Sequence, residues 1–213
     1  MIKKGIFITI EGIHGSGKST ISQMLFERLK ELKLDVIFVL DQAGTETGRK
    51  IRRINLEEGN DVDVLTEALL IASARRQNIS EVIKPNLSQG KIVISERYVD
   101  AYFAFQGFAR GLPLKFLECI NDTISEGIMP DLTILLDLNP KIALSRLDLN
   151  LSHRIEREPL DFHKKVREGY LSQAKKYPDR IKIIDSDLSI DKVFEKVWKT
   201  VKDFLVLKGA IKC

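Results

Sequence analysis

Gly12-Ile13-His14-Gly15-Ser16-Gly17-Lys18-Ser19 follows the spacing G-x-x-x-x-G-K-[ST], and those residue types in that order suit the cradling of a polyphosphate. Gly12, Gly15 and Gly17 let the backbone wrap closely, so that the N–H groups around His14 and Ser16 turn inward. A helical pattern opening at Ser19-Thr20 adds the positive end of its dipole. Lys18 is expected to reach the β- and γ-phosphates, and the Ser19 hydroxyl to ligate Mg²⁺. The expected ligands are therefore ATP, or another nucleoside triphosphate, and Mg²⁺.

Two further clusters could act on such a ligand. The apolar run through Ile92–Ser95 closes on Glu96-Arg97-Tyr98, which sets an acid and a guanidinium at a strand end. Arg97 has the geometry to hold an acceptor phosphate through two N–H groups. Glu96 can accept a proton or hold Mg²⁺ through water, and a merely solvated strand end is the plainer alternative. The third cluster is the polar stretch Asn150 to Pro159, with His153, Arg154, Glu156, Arg157 and Glu158. Alone it reads as a solvated loop, but behind a phosphate loop it reads as a lid, about 148–160, whose arginines close over a transferring phosphate.

The elements that must position these groups follow from hydrophobic patterning. Short β-branched runs at Ile6–Ile10, Val36–Leu40, Ile92–Ser95, Leu132–Leu138 and Ile181–Ile184 read as strands covered on both faces. Helical periodicity marks Ser19–Leu32, Thr47–Glu57, Val64–Asn86, Leu114–Ser125, Lys141–Leu147, Leu160–Tyr177 and Ile190–Leu207. That alternation predicts an α/β fold, a parallel sheet of about five strands flanked by helices, as one domain over 1–213. In such sheets ligands sit beyond the carboxyl ends of the strands, where the three clusters fall.

Composition narrows the setting. The 213 residues carry 44% hydrophobic and 30% charged types with a net charge of +4, enough for a full core without disulfides. The basic balance suits an anionic ligand or an ordinary lysine-rich surface. No basic tract with interleaved aromatics indicates nucleic acid, and no run approaches membrane-spanning length. Cys119 and Cys213 lie far apart without metal-ligand spacing, so a reducing, cytoplasmic location is expected.

Taken together, these segments resemble the thymidylate kinase family. The resemblance runs through Phe7–Gly12 into Gly17-Lys18-Ser19-Thr20, Ser95–Tyr98 with Ala104-Phe105-Gln106-Gly107, and Pro130–Leu138 with Arg146. It continues in His153-Arg154-Ile155-Glu156, Phe162–Tyr170, Pro178 and Ile184-Asp185. It implies a P-loop kinase that phosphorylates dTMP with ATP and Mg²⁺ and pairs as a homodimer. By resemblance, Arg97 would grip the acceptor phosphate, and Arg154, helped by Arg157, would stabilise the transferring group. Arg75 and Gln106 would approach the base, and Ile71, Asp41 and Tyr98 would complete the acceptor site.

Four positions depart from the family pattern. His14 stands where an acidic residue is usual, and is expected either to titrate near neutral pH or to remain a neutral imidazole. Leu40–Thr45 lacks the usual arginine and proline, Ile71 replaces a stacking phenylalanine, and Glu96 replaces an aspartate. Loss of the aromatic platform predicts relaxed base preference. The alternatives are a deoxynucleoside kinase, favoured by Glu96, and a nucleotide-binding switch or regulatory paralogue without turnover.

Overall fold

The computed structural model describes residues 5–57, 60–147 and 153–212. The residues 148–152 of the expected lid, and Cys213, lie outside them. The chain opens with β1 (Ile6–Gly12), α1 (Lys18–Glu31), β2 (Val36–Leu40) and α2 (Glu46–Leu56). It continues with α3 (Val64–Asn78), a π turn over Ile79–Ile83, α4 (Lys84–Ser88) and β3 (Ile92–Glu96). Next come α5 (Val99–Tyr102), a π-helical run over Phe103–Ala109, α6 (Leu114–Ser125), β4 (Leu132–Asp137) and α7 (Pro140–Ser145). A 3₁₀ turn at Arg154–Arg157, α8 (Leu160–Lys176), β5 (Ile181–Asp185) and α9 (Ile190–Leu207) complete it.

All five strands fall where the apolar runs lie, and all pair in parallel in the order β2-β3-β1-β4-β5. Every residue of β1 is buried, as a central strand covered on both faces requires. Ile8, Ile10, Ile94, Ile134 and Leu136 pack under α1 and α9 on one face. The opposite face is filled by separate groups around Phe7, Val93 and Tyr98, and around Leu135, Val166 and Tyr170.

Two helical segments differ from the periodic reading. The expected helix Val64–Asn86 is helical throughout but passes through the π turn at Ile79–Ile83 just before Pro85. Pro85 offers no N–H to a carbonyl four residues back, which disfavours regular α geometry there. The run Val99–Ala109 carries no amphipathic period because nearly all of it is buried or half-buried. Its partner α8 comes so close that a Cβ on Gly169 would lie 2.7 Å from the Ala104 Cα.

Register sets the site. Ile10 pairs with Glu96, so the carboxyl end of β3 stands beside the end of β1 from which the glycine loop springs. No helix among the described residues is long and apolar enough to cross a membrane.

Candidate active site

The loop after β1 turns on glycines in conformations other residues resist: Gly15 at φ 77° and Gly17 at φ 86°, the latter capping α1. Lys18, the first residue of α1, is buried and its Nζ donates to the Ile13 carbonyl at 2.7 Å. Burial, with Arg97 nearby, lowers Lys18 to about 7. An ammonium so placed lacks a countercharge close enough to offset its desolvation, a deficit that a bound polyphosphate would remove. Ser19 Oγ donates to Glu96 Oε1 at 3.0 Å, bringing together a hydroxyl and a carboxylate at the loop's mouth. Hard oxygen donors of this kind fit Mg²⁺, which keeps several waters and takes few protein ligands.

Arg97 follows β3 with φ 66°, a left-handed conformation rare outside glycine and common at functional positions. Three contacts hold it there. Its N–H donates to the Ile10 carbonyl at 3.0 Å, and Nη1 donates to the Gly12 carbonyl at 3.0 Å and the Tyr170 hydroxyl at 2.8 Å. The guanidinium lies over the Phe105 ring at 4.9 Å. Below it, the buried Glu11 carboxyl accepts from the Tyr98 N–H and the Tyr170 hydroxyl.

These groups open onto one cleft of about 720 Å³. Gly15, Gly17, Lys18, Ser19 and Thr20 line one end. Ile71, Arg75, Tyr102, Phe105 and Gln106 line the other, with Glu96, Arg97 and Arg52 between. Arg52, on α2, was not singled out by the sequence reading, since its helix face also carries Arg49 and Arg53. Burial and the Arg97 charge both lower Arg52, so two guanidiniums crowd one region that an anion would relieve.

At the far end Arg75 is fully buried and donates from Nε and Nη2 to Asp41, the shortest contact being 2.7 Å, and from Nη2 to the Tyr98 carbonyl at 3.0 Å. Its Nη1 is buried without a partner. Gln106 Nε2 donates to Glu67 Oε1 at 2.9 Å, and its Oε1 is likewise buried without a partner. An unused donor and an unused acceptor thus stand on two residues of one pocket.

His14 lies at the cleft with His153, which caps the 3₁₀ turn, and with Ile155 and Glu156 of that turn, its Nε2 3.9 Å from Glu156 Oε1. Burial, aided by Arg97 and Lys18, holds it well below the ordinary histidine range. It is therefore a neutral imidazole, rather than one titrating near pH 7.

Most of the residues singled out from sequence converge on this cleft, but Gly12, Ser16, Tyr98, Arg154 and Arg157 do not line it. Gly12 sits behind Arg97 as a carbonyl acceptor, and Ser16 is buried beneath the loop. The Tyr98 ring packs edge-on against Phe7 at 4.9 Å and its hydroxyl donates to the Ile128 carbonyl. Tyr98 serves the pocket through Arg75, which donates to its carbonyl and lies over its ring at 5.3 Å, because the turn at Arg97 sends the ring into the core. Arg154 Nη2 donates to Glu67 and to the Asn55 carbonyl, away from the loop.

Comparison with known proteins converges on one family. Residues 10–197 match the family model described as thymidylate kinase. A thymidylate kinase of Clostridium novyi (strain NT) is 42% identical over 200 residues, 92% of this chain and 98% of that protein. One from Symbiobacterium thermophilum is 40% identical over 94% of each chain. The crystal structure of thymidylate kinase from Ehrlichia chaffeensis superposes with a TM-score of 0.78 at 31% identity, over 93% of this chain and 98% of that one.

Proposed function

The chain belongs to the thymidylate kinase family, and from that premise we propose how its cleft transfers the γ-phosphoryl group of ATP to the phosphate of dTMP, giving ADP and dTDP. The observation that carries this reading is the pairing of two phosphate-seeking clusters in one cleft: the glycine loop with Lys18, and Arg97 with Arg52. A phosphate-binding protein needs one such cluster, whereas transfer between two phosphates needs two.

The acceptor oxygen of dTMP is already anionic at neutral pH, so no general base is required. An acceptor oxygen attacks the γ-phosphorus as the bond to the β–γ bridging oxygen breaks, and that oxygen leaves on ADP. Loop amides and Lys18 bind the triphosphate; Arg97 and Arg52 aim the acceptor phosphate in line with it. Ser19 and Glu96 would hold Mg²⁺, which supplies charge neutralisation across the β- and γ-phosphates. Arg154, with Arg157, would add positive charge to the transferring group once the lid turn moves inward.

At the base end, Arg75 Nη1 would donate to the 4-oxo oxygen, and Gln106 Oε1 would accept the ring N3–H. That donor–acceptor order also suits dUMP and the O6/N1–H edge of dGMP. Relaxed preference should therefore extend to those acceptors, while dCMP and dAMP, with the opposite order, are excluded.

Leu65 and Leu69 on α3 and Phe116 on α6 are exposed, and a homodimer would cover such helices. Light scattering on the purified chain tests that reading, a monomer at working concentration being the adverse result. The exposed free thiol of Cys119 accords with a reducing cytoplasm.

The decisive experiment is a coupled ATP-to-ADP assay with Mg²⁺ and dTMP, dUMP, dGMP, dCMP, dAMP or thymidine, beside a blank lacking acceptor. Turnover with dTMP is expected; activity with thymidine alone, or in the blank alone, would overturn the reading.

A further inference from the structure

Glu67 is 1% exposed, lies on α3, and accepts four N–H bonds. Gln106 Nε2 and Arg110 Nε reach Oε1 at 2.9 and 3.1 Å, while Arg110 Nη2 and Arg154 Nη2 reach Oε2 at 3.2 and 2.5 Å. Arg110 Nη1 in turn donates to Glu158 at 2.6 Å, so two carboxylates and two guanidiniums alternate in charge. Burial alone would raise the Glu67 carboxyl, but the bonds from Gln106, Arg110 and Arg154 more than offset it and keep it ionised.

An ionised carboxylate only accepts, so the Gln106 amide has one orientation open to it. Its NH₂ faces Glu67, and its Oε1 is left as the unpartnered buried acceptor on a cleft-lining residue. We propose that Glu67 is a positioning residue for base selection: by fixing the Gln106 amide it presents a carbonyl to the acceptor base, favouring bases with a ring N–H over bases with a bare ring nitrogen. Free to flip, Gln106 would offer NH₂ to the N3 of cytosine as readily as its oxygen to the N3–H of thymine. The selectivity therefore resides in a residue absent from the cleft lining. The inference rests on the dTMP reading above.

The test is the ratio of kcat/KM for dTMP to that for dCMP, in the wild type and in Glu67→Gln. The amide introduced by Glu67→Gln can present either an oxygen or an NH₂ to Gln106, and the ratio should fall by about tenfold or more, the worth of one mispaired buried hydrogen bond. Any effect on Arg154 acts on the phosphoryl group common to both acceptors, so it cancels in the ratio. Glu67→Asp, which keeps an obligate acceptor, should restore much of the preference. If Glu67→Gln does not fold, E67Q/R110Q removes one charge of each sign and is read in the same way. An unchanged ratio in a folded variant, with both acceptors slowed equally, would overturn the proposal and leave the dTMP reading intact. A wild type inactive on dTMP would instead refute that reading.

Discussion

Arg154 Nη2 meets Glu67 Oε2 at 2.5 Å, so the guanidinium of the lid turn is held by α3 rather than pointed at Lys18. The same turn presents Glu156 to His14 on the loop side. One short helical turn therefore touches both walls of the cleft, and the proposed action of Arg154 on the transferring phosphoryl group would require it to exchange a buried carboxylate for that group.

Arg154→Met should lower kcat by about 10³-fold, the low end for an arginine that neutralises charge in phosphoryl transfer. The Kd for dTMP should change little, because the acceptor phosphate contacts are proposed to come from Arg97 and Arg52. Single-turnover kinetics with calorimetric binding measures both. A large loss of dTMP affinity with kcat preserved would place Arg154 in binding instead.

ATP binding should draw in protons above neutral pH. With Lys18 lowered to about 7 by burial, most of it is neutral at about pH 8. Phosphates favour the ammonium form, so binding should take up close to one proton there and fewer as pH falls below 7. Calorimetry in buffers of different ionisation enthalpy reads the uptake directly. No uptake at about pH 8 would mean that Lys18 is already charged before ATP arrives.

The strands and the loop were legible because their signals are local: β-branched runs, glycine spacing, a lysine at a fixed offset. Arg52 and Glu67 were not. Arg52 is one cation on a helix rich in them, and only the packing of α2 against the cleft separates it from Arg49 and Arg53. Glu67 is the one acidic residue of α3, and its role rests on distant partners, Gln106, Arg110 and Arg154, which no local pattern announces. Tyr98 misled through adjacency: its neighbour Arg97 faces the cleft, but a left-handed backbone at that residue turns the next ring into the core. Such a conformation at a non-glycine residue leaves no trace in composition or period.

Ile71 lines the base end and is 6% exposed. Ile71→Phe would add an aromatic platform, worth about 0.5–1.5 kcal/mol beyond burial, and should lower the dTMP KM by about two- to tenfold. Steady-state kinetics decides it. A raised KM would mean that the pocket between Tyr102 and Phe105 is too full for a ring there, and that overpacking outweighs stacking.

Asp41 and Arg75 offer the sharpest separation of stability from selectivity. Burial on its own would lower Arg75, and the Asp41 carboxylate reverses this, so the guanidinium remains charged inside the core. Asp41→Asn removes the countercharge, leaves that cation buried, and should cost about 3–5 kcal/mol in urea unfolding. The double variant D41L/R75M removes both charges, and an apolar pair of similar volume should recover most of the loss. It should not recover base reading, because the proposed donor for the 4-oxo group is the unpartnered Nη1 of Arg75. A stable D41L/R75M enzyme with dTMP kcat/KM reduced by about tenfold or more is expected. Full activity in that variant would make the pair a structural strut and leave Gln106 as the base reader.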